Sequence, residues 1–454
     1  MEKIDNNPLA IEPVTKLFFK LAIPSVLAQL VNLLYNLVDR IFIGRITDVG
    51  STALTGVGVC FPLIIIISAF SSLFGMGGAP KAAIKLGEGN KDEANKILGN
   101  SITMTLIFAV ILTIIVMIFK EQILYLFGAS ENTIQYSLEY MNVYVWGTIF
   151  VMISLGLNAF ITTQGFSKIS MFNVIIGAAI NIALDPLFIF GFNLGVKGAA
   201  IATIISQAIS AFLVIRFLLS KKSILKISLK DLKIDIKIIL SIIALGLSPF
   251  IMQVTESIIS ICFNTSLLKY GGDIAVGTMT ILSSLMQFAM FPLQGFAQGA
   301  QPIISYNFGA KNPDRIKKTF KILLIICITY SVIFWGVSMI APKALISMFT
   351  EDTNLIIFAS NALRIYMAVI CLFGIQIACQ QTFVSLGNAP VSLFLALLRK
   401  VILLIPLIYI VPLFMDNKCN GIFLAEPIAD FLAVSTTAIM FIVVFNKSMK
   451  KISI

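Results

Sequence analysis

The sequence predicts an all-α membrane protein with twelve transmembrane helices, arranged as two six-helix bundles related by a pseudo-two-fold axis along the membrane normal. Three observations lead to this prediction. The 454 residues are 58% hydrophobic and only 12% charged. Apolar runs long enough to cross a bilayer recur along the chain. The two halves of the chain also resemble each other when they are offset by 222 residues.

The composition excludes a soluble globular protein, because such proteins carry about 25% charged residues. Runs of about 20 apolar residues can each cross roughly 30 Å of hydrocarbon. Twelve runs are present, centred near residues 30, 66, 108, 148, 180, 208, 252, 288, 331, 368, 402 and 433. Residues 1–20 are polar and mixed in charge, and the first apolar run has the length of a span, so no cleavable signal peptide is expected.

The net charge of +11 follows membrane topology. Both termini and the connections after even-numbered spans hold 23 of the 33 Lys and Arg residues. Because positive charge resists translocation, this bias places both termini in the cytoplasm. We therefore expect a multi-pass membrane protein, with the lipid bilayer and not nucleic acid as its partner.

The chemistry available to the chain is narrow. The six cysteines form no CxxC pair, and histidine is absent from the sequence. Small apolar packing is the expected role of the cysteines. Any proton-handling group must then be a carboxylate. The sequence shows no recognisable nucleophile or metal set, so we expect neither an enzyme nor a bound cofactor.

The basic segment KKSILKISLKDLKIDIK divides the chain. We expect an N-terminal six-helix lobe over residues 1–220, a cytoplasmic basic linker over 221–237 and a C-terminal six-helix lobe over 238–454. The offset of 222 residues pairs polar and turn residues of the two halves: Pro80/Pro302, Gly87/Gly309, Asn90/Asn312, Tyr144/Tyr366 and Gly165/Gly387. Since six spans is an even number, the two halves share one orientation in the membrane.

The fifth span carries a polar face. Asn181 and Asp185 are four residues apart, so they lie on one side of a helix. Pro186 lacks an N–H, which leaves a carbonyl of the preceding turn without its helical partner. An intramembrane Asp costs roughly 2.5–3.5 kcal/mol to insert, so Asp185 and Asp39 of the first span are candidate functional residues. For Asp39, a simple interfacial ion pair with Arg40 is the alternative.

Polar stripes also occur at helical spacing in the first, fourth and sixth spans. Their members are Asn32, Asn36, Ser154, Asn158, Thr162, Thr203, Ser206, Gln207 and Ser210. Carboxylate, amide and carbonyl oxygens are the hard ligands that suit a small cation or a proton. For the stripe that begins at Ser154, hydrogen bonding between helices without further function is the alternative.

The second half contains its own charged set. Glu256 lies in the middle of the seventh span and is the acid that we most expect to be functional. Arg399 and Lys400 interrupt the eleventh span, and Glu426 and Asp430 share a face of the twelfth. Internal ion pairing among these residues is an open alternative.

The eighth span combines four glutamines with methionine and phenylalanine. The side chains expected to form an adaptable, polarisable substrate surface are Met286, Gln287, Met290 and Phe291. Methionine and phenylalanine alone would be ordinary packing residues.

Four segments carry a resemblance to a known family. They are NPLAIEPV, LVNLLYNLVDRIFIG, FGMGGAPKAAIKLGEGN and NIALDPLFIFGFNLGVKGAAIATIISQ. Over essentially its whole length the chain resembles the MATE (multidrug and toxic compound extrusion) family, especially its DinF-like and MepA-like bacterial branch. This resemblance implies a cation site formed by Asp39, Asn181, Asp185 and Thr203. It also implies a bend marked by Pro24.

The resemblance implies an antiporter that exports small amphipathic, mostly cationic compounds and drugs in exchange for Na+ or H+. The expected substrate-binding residues are Asn32, Tyr35, Asn158, Gln207, Glu256, Met286, Gln287, Met290 and Phe291. NorM-like members carry an acid in the tenth span, where this chain offers only Gln376, Gln380 and Gln381. A complete cation site in the second half is therefore not expected.

A flippase for lipid-linked or polyisoprenoid cargo is the alternative function. It would need a cationic groove that binds pyrophosphate, whereas the charged set inside this chain is net acidic. An intramembrane enzyme and a channel are the more distant alternatives.

The repeat predicts the side of the membrane on which single lysines lie. Lys222 and Lys317 should face the cytoplasm, while Lys120 and Lys343 should face the exterior. Cysteine substituted at each position and labelled in intact cells with an impermeant reagent measures this. External labelling at position 222 would contradict the arrangement of two times six spans.

Overall fold

The computed structural model describes residues 7–46 and 49–453, and all regular secondary structure in this part of the chain is helical. The long helices of the first half are α1 (Val14–Gly44), α2 (Gly50–Gly87), α3 (Lys91–Leu126), α4 (Ile134–Thr163), α5 (Ser167–Gly191) and α6 (Gly195–Leu219). Those of the second half are α7 (236–271), α8 (273–309), α9 (Pro313–Ile340), α10 (Thr353–Tyr366 with Ile370–Ser385), α11 (Ala389–Phe414) and α12 (Lys418–Ser453). A short helix, Pro8–Ile11, precedes α1.

Gly272 separates α7 from α8. Within the 74 residues of Ile236–Gly309, Gly272 has φ 62° and ψ −159°, which is not a helical conformation. Only glycine adopts this conformation readily, because a side chain would clash with the backbone. An unbroken helix of this length would measure about 110 Å, over three times the hydrocarbon thickness of roughly 30 Å. The segment is therefore two spans, and the prediction of twelve is confirmed.

Residues related by the offset of 222 play the same local roles. Asn90 caps α3 by accepting a hydrogen bond from a backbone N–H three residues later, and Asn312 caps α9 in the same way. Gly165 and Gly387 both adopt positive φ, of 90° and 71°, in the turns that precede α5 and α11. The internal repeat read from the sequence is thus a structural repeat.

The two halves meet at a reciprocal crossing of α2 and α8. A Cβ atom on Gly87 would lie 1.9 Å from the carbonyl oxygen of Tyr306, and one on Gly309 would lie 1.9 Å from that of Ile84. Gly87/Gly309 and Ile84/Tyr306 are both pairs of the repeat. The contact from the first half to the second is therefore repeated by an equivalent contact from the second half to the first. An isologous contact of this kind places a pseudo-two-fold axis at the crossing.

The connection between the halves is fixed to the first half. The Gln164 side-chain oxygen accepts hydrogen bonds from Ser223 Oγ at 3.0 Å and from the backbone N–H groups of Ile224 and Leu225 at 2.6 and 2.9 Å. Asn100 Oδ1 accepts from the backbone N–H of Asp235 at 2.8 Å. The lobe and linker boundaries given above remain a prediction, but the connecting segment itself is packed and hydrogen-bonded.

The α2–α8 crossing generates a test by paired substitutions. Gly309→Ala should destabilise the protein by about 1–3 kcal/mol, because the added methyl group meets a backbone oxygen. Gly277→Ala, also in α8, is the control: a Cβ there has no neighbour within 4 Å, and alanine favours a helix by up to about 1 kcal/mol. Thermal unfolding of both variants in detergent measures the difference. Equal stability would contradict the crossing.

Candidate functional site

Four predicted residues from three helices meet in the first half. Asn181 Nδ2 on α5 donates to Asp185 Oδ1 at 3.2 Å and to Thr203 Oγ1 on α6 at 3.5 Å. The carboxyl group of Asp39 on α1 lies near that of Asp185 and interacts with it electrostatically. Asn181 and Asp185 are fully buried, and Thr203 is buried too. The proximity expected for these residues is therefore present in the structure.

Three oxygen atoms of this cluster are buried without a hydrogen-bond partner. They belong to three different side chains: Asp39 Oδ1, Asn181 Oδ1 and Asp185 Oδ2. A buried polar atom without a partner is destabilising, so such atoms call for an explanation. Two carboxylates and an amide oxygen are hard ligands, and the residues present fit a small monovalent cation or a proton.

Arg40 does not neutralise Asp39 by an ion pair. Its guanidinium carbon lies 4.3 Å from the centre of the Phe61 ring, a cation–π contact. Among the described residues, no ion pair within 4.0 Å involves Asp39 or Asp185. The interfacial ion pair considered for Asp39 is absent from this part of the chain.

The local fold around Asp185 departs from a regular α-helix. Pro186 ends the α-helical part of α5, and the residues Leu187–Gly191 continue as a π-helix. The backbone N–H of Phe192 then bonds to the carbonyl of Leu187 at 2.8 Å, five residues back. Proline cannot supply the N–H that an α-helix needs at this position, and π-helical segments often occur at functional sites.

The predicted substrate residues Asn158 and Gln207 form side-chain hydrogen bonds to neighbouring helices. Gln207 on α6 interacts with Tyr35 on α1, and its side-chain oxygen accepts a hydrogen bond from Ser154 Oγ on α4 at 2.5 Å. Asn158 Oδ1 accepts from Asn173 Nδ2 at 3.3 Å. The Ser154 stripe therefore does link helices, as its alternative interpretation requires.

Asn32 lies one turn before Tyr35 and Asn36 on α1. Its carbonyl accepts a hydrogen bond from Asn36 Nδ2 at 2.7 Å, and its side chain is partly exposed. A contact of the Asn32 side chain with substrate stays a prediction.

The charged residues of the second half form ion pairs between helices. Arg399 Nε and Nη2 on α11 contact Asp430 Oδ1 at 2.6 Å and Glu426 Oε1 at 3.0 Å on α12. Lys400 Nζ contacts Glu256 Oε1 on α7 at 2.5 Å. The pairing that the sequence left open is therefore present, and it includes Glu256. Arg399 and Lys400 lie within a second π-helical segment, Leu398–Leu404.

A cavity of about 90 Å³ lies beside these ion pairs. Glu256, Arg399, Lys400 and Glu426 form its charged side. Its remaining large side chains are apolar or aromatic: Ile259, Phe263, Met279, Met286, Met290 and Tyr366. The predicted residues Met286 and Met290 thus line this cavity together with Glu256.

Gln287 and Phe291 do not line this cavity. Each follows a lining methionine by one residue, and successive residues of an α-helix point about 100° apart. Gln287 on α8 is instead exposed, and Phe291 is half-buried. Their role in substrate binding stays a prediction.

The sequence reasoning missed two tyrosines near the acid pair. Tyr140 and Tyr144 on α4 are buried and stacked, with ring centres 5.6 Å apart. Tyr140 interacts electrostatically with Asp39 and with Tyr35. Two tyrosines four residues apart in a predicted span were the signal, because aromatic hydroxyls are unusual in hydrocarbon.

The buried ion pair of Arg399 generates a prediction. Asp430→Asn should destabilise the protein near the lower end of about 3–5 kcal/mol, because Arg399 keeps only Glu426 as a partner. The matched control is Glu88→Gln, which removes an exposed pair with Lys85 at 2.9 Å and should cost about 0–1 kcal/mol. Chemical unfolding in detergent measures both values. Equal losses would contradict a stabilising role for the buried pair.

Comparison with known proteins places this architecture in a family. The MatE family model matches residues 24–187 and 249–410, one segment in each half. The multidrug export protein MepA of Staphylococcus haemolyticus (strain JCSC1435) is 26% identical over 422 residues, covering 93% of this chain and 92% of that protein. The MepA protein of Staphylococcus aureus (strain NCTC 8325 / PS 47) is 25% identical, with coverage of 88% and 87%.

Solved structures share the fold over the whole chain. A MATE crystal structure in the bent conformation is 22% identical, covers 100% of both chains and has a TM-score of 0.91. An outward-facing multidrug resistance MATE family transporter of the MOP superfamily, also 22% identical, covers 98% of both chains with a TM-score of 0.90. Since the family model matches well over half of the sequence, in both halves of the repeat, the chain belongs to the MATE family of transporters.

Proposed function

We propose that this transporter exports small amphipathic, mostly cationic organic compounds and drugs in exchange for Na+ or H+ moving inward. Asp39, Asn181, Asp185 and Thr203 would bind the coupling ion. The observation that carries the proposal is the set of three buried, unpartnered oxygens on Asp39, Asn181 and Asp185. The relatives named as multidrug export proteins support the class of substrate.

The charges at this site make ion binding favourable. Asp39 and Asp185 interact electrostatically, and two ionised carboxylates in such proximity repel each other. A proton or a monovalent cation between Asp39 and Asp185 removes this repulsion. The site is therefore stable as a pair of carboxyls that share one positive charge, and it is strained when that charge leaves.

A movement of α1 can couple the loss of the ion to the substrate-binding residues. Tyr35 lies one turn before Asp39 on the same helix and interacts with Gln207 on α6. If Asp39 moves away from Asp185, α1 carries Tyr35 away from Gln207 and from Ser154, which bonds to Gln207. Release of the ion and reshaping of the surface formed by Asn32, Tyr35, Asn158 and Gln207 are then one event.

The proposed setting is a bacterial plasma membrane, with a monomeric protein and both termini in the cytoplasm. The exposed lysines of the connecting segment support this orientation, because basic segments stay on the cytoplasmic side. They include Lys221, Lys222, Lys230 and Lys233.

Reconstitution in liposomes tests the function. Purified protein should move a fluorescent organic cation against its gradient when an inward Na+ or proton gradient is imposed, each applied separately. Gradient-independent movement of a lipid-linked cargo, without dye transport, would favour the flippase instead.

Charge-neutral variants test the coupling site. Asp39→Asn and Asp185→Asn keep the side-chain shape and remove one charge, so each should reduce gradient-driven transport by at least about tenfold, as expected for a lost charged hydrogen bond of about 1.5–3 kcal/mol. The double variant should lose little more than either single one, because both residues serve one site. Asp92→Asn, an exposed position in the first turn of α3, is the control. Transport at the parental rate by either single variant would remove that residue from the site.

A further inference from the structure

We propose that the cavity of the second half is an ammonium-exchange site. In it Lys400 is a built-in cation that occupies Glu256 until the ammonium group of a ligand replaces it, and Glu426 then receives Lys400. This inference rests on the proposed export of cationic compounds and names the residues that admit them to the second half.

The different exposure of Glu256 and Lys400 determines which of the two a ligand can contact. The Glu256 side chain is 56% exposed, whereas the Lys400 side chain is only 5% exposed. Both line the cavity, and they are joined at 2.5 Å. A ligand that enters the cavity therefore reaches the carboxylate directly, while the competing ammonium lies behind it.

The charges of the cluster leave room for one more cation. Glu256, Glu426 and Asp430 supply three negative charges, and Arg399 and Lys400 supply two positive ones. An unbalanced charge is costly in a site of low dielectric constant. One monovalent cation balances the set, whereas an anion or a divalent cation does not.

Glu426 gives Lys400 a second partner. Both side chains line the same cavity. Arg399 contacts Glu426 at 3.0 Å but Asp430 at 2.6 Å, so the contact with Glu426 is the longer of the two. The lysine side chain is a flexible four-carbon stem that can redirect its charge. Moving Lys400 from Glu256 to Glu426 while a ligand takes Glu256 leaves each cation with an acid.

The backbone that carries Lys400 is also irregular. The segment Leu398–Leu404 is π-helical, and it brings the consecutive residues Arg399 and Lys400 into one acidic cluster. Such segments are rare and are frequent at functional sites.

The side chains that line the cavity indicate the chemistry of its ligand. Phe263 and Tyr366 offer aromatic rings, and Met279, Met286 and Met290 offer flexible thioethers. These surfaces suit an alkylated ammonium group. The volume of about 90 Å³ is far below the roughly 300–1,000 Å³ of pockets that enclose a whole drug-sized ligand. The site would therefore take the ammonium head group of an amphipathic cation and leave the rest of the molecule outside.

Binding without a gradient tests the exchange. Ethidium is titrated by fluorescence into purified protein in detergent, with Nile red as a neutral dye. Lys400→Met removes the competing charge at similar volume, so the ethidium Kd should fall about tenfold or more, while Lys400→Arg, which keeps the charge, should show no such gain. Glu256→Gln should raise the ethidium Kd about ten- to a hundredfold. Nile red binding should not change in any variant.

The role of Glu426 is tested by a double-mutant cycle. Glu426→Gln should weaken ethidium binding when Lys400 is present, because the lysine then has no second partner. In a Lys400→Met background the same change should have little effect. An effect of equal size in both backgrounds would show that Glu426 acts through its charge alone, and it would overturn the exchange.

Two further outcomes would also overturn the proposal. One is equal ethidium affinity of Lys400→Met and Lys400→Arg. The other is unchanged binding by Glu256→Gln, a substitution at an exposed side chain that decides the matter even if the Lys400 variants fail to fold, as judged by size exclusion. Repeating the titrations in an Asp39→Asn background separates this result from the proposed antiport, because binding without a gradient requires no coupling.

Discussion

The cost of placing an ionised side chain in hydrocarbon governs this structure. Each such group costs roughly 2.5–3.5 kcal/mol to insert even on lenient scales, so it has to find a compensating charge. The second half compensates internally: Arg399 and Lys400 lie within 3.0 Å of the acids on α7 and α12. In the first half, the described residues supply no basic partner within 4.0 Å for Asp39 or Asp185. The two halves therefore meet this cost differently: bases contact the acids of the second half, whereas Asp39 and Asp185 have no such contact among the described residues.

The backbone near the two charged clusters also shows a common feature and a difference. The repeat relates α5 to α11, and each contains a π-helical segment next to its charged cluster. In α5 the segment begins directly after Pro186, which cannot donate a backbone hydrogen bond. In α11 it contains both bases. Close helix packing at glycine is the same in both halves, because Gly87 and Gly309 make equivalent contacts with the backbone of the opposite half. Small residues let two backbones touch, which is how helices associate in a membrane that offers no hydrophobic driving force.

Much of the fold could be predicted because its signals are local or periodic. Span length, the bias of basic residues and the repeated turn residues all follow from short stretches of sequence, and Gly165 and Gly387 share a turn conformation as their pairing implied. Asn181 and Asp185 were predictable as neighbours because they are one helical turn apart. Their contact with α1 required the family resemblance. The pair Lys400–Glu256 joins residues 144 positions apart, and its formation depends on how α7 and α11 rotate about their axes, which no local pattern fixes.

The hydrogen bonds from Gln164 and Asn100 to the connecting segment have a consequence for how the chain can be divided. A segment that connects two halves of a protein is often a flexible linker, but here the connecting segment is packed against the first half. Residues 223–235 complete the surface of the first half before α7 begins. A transporter assembled from two separate polypeptides should therefore be split directly before Ile236. A cut at the start of the basic segment would remove from the first polypeptide the residues that bond to Gln164 and Asn100.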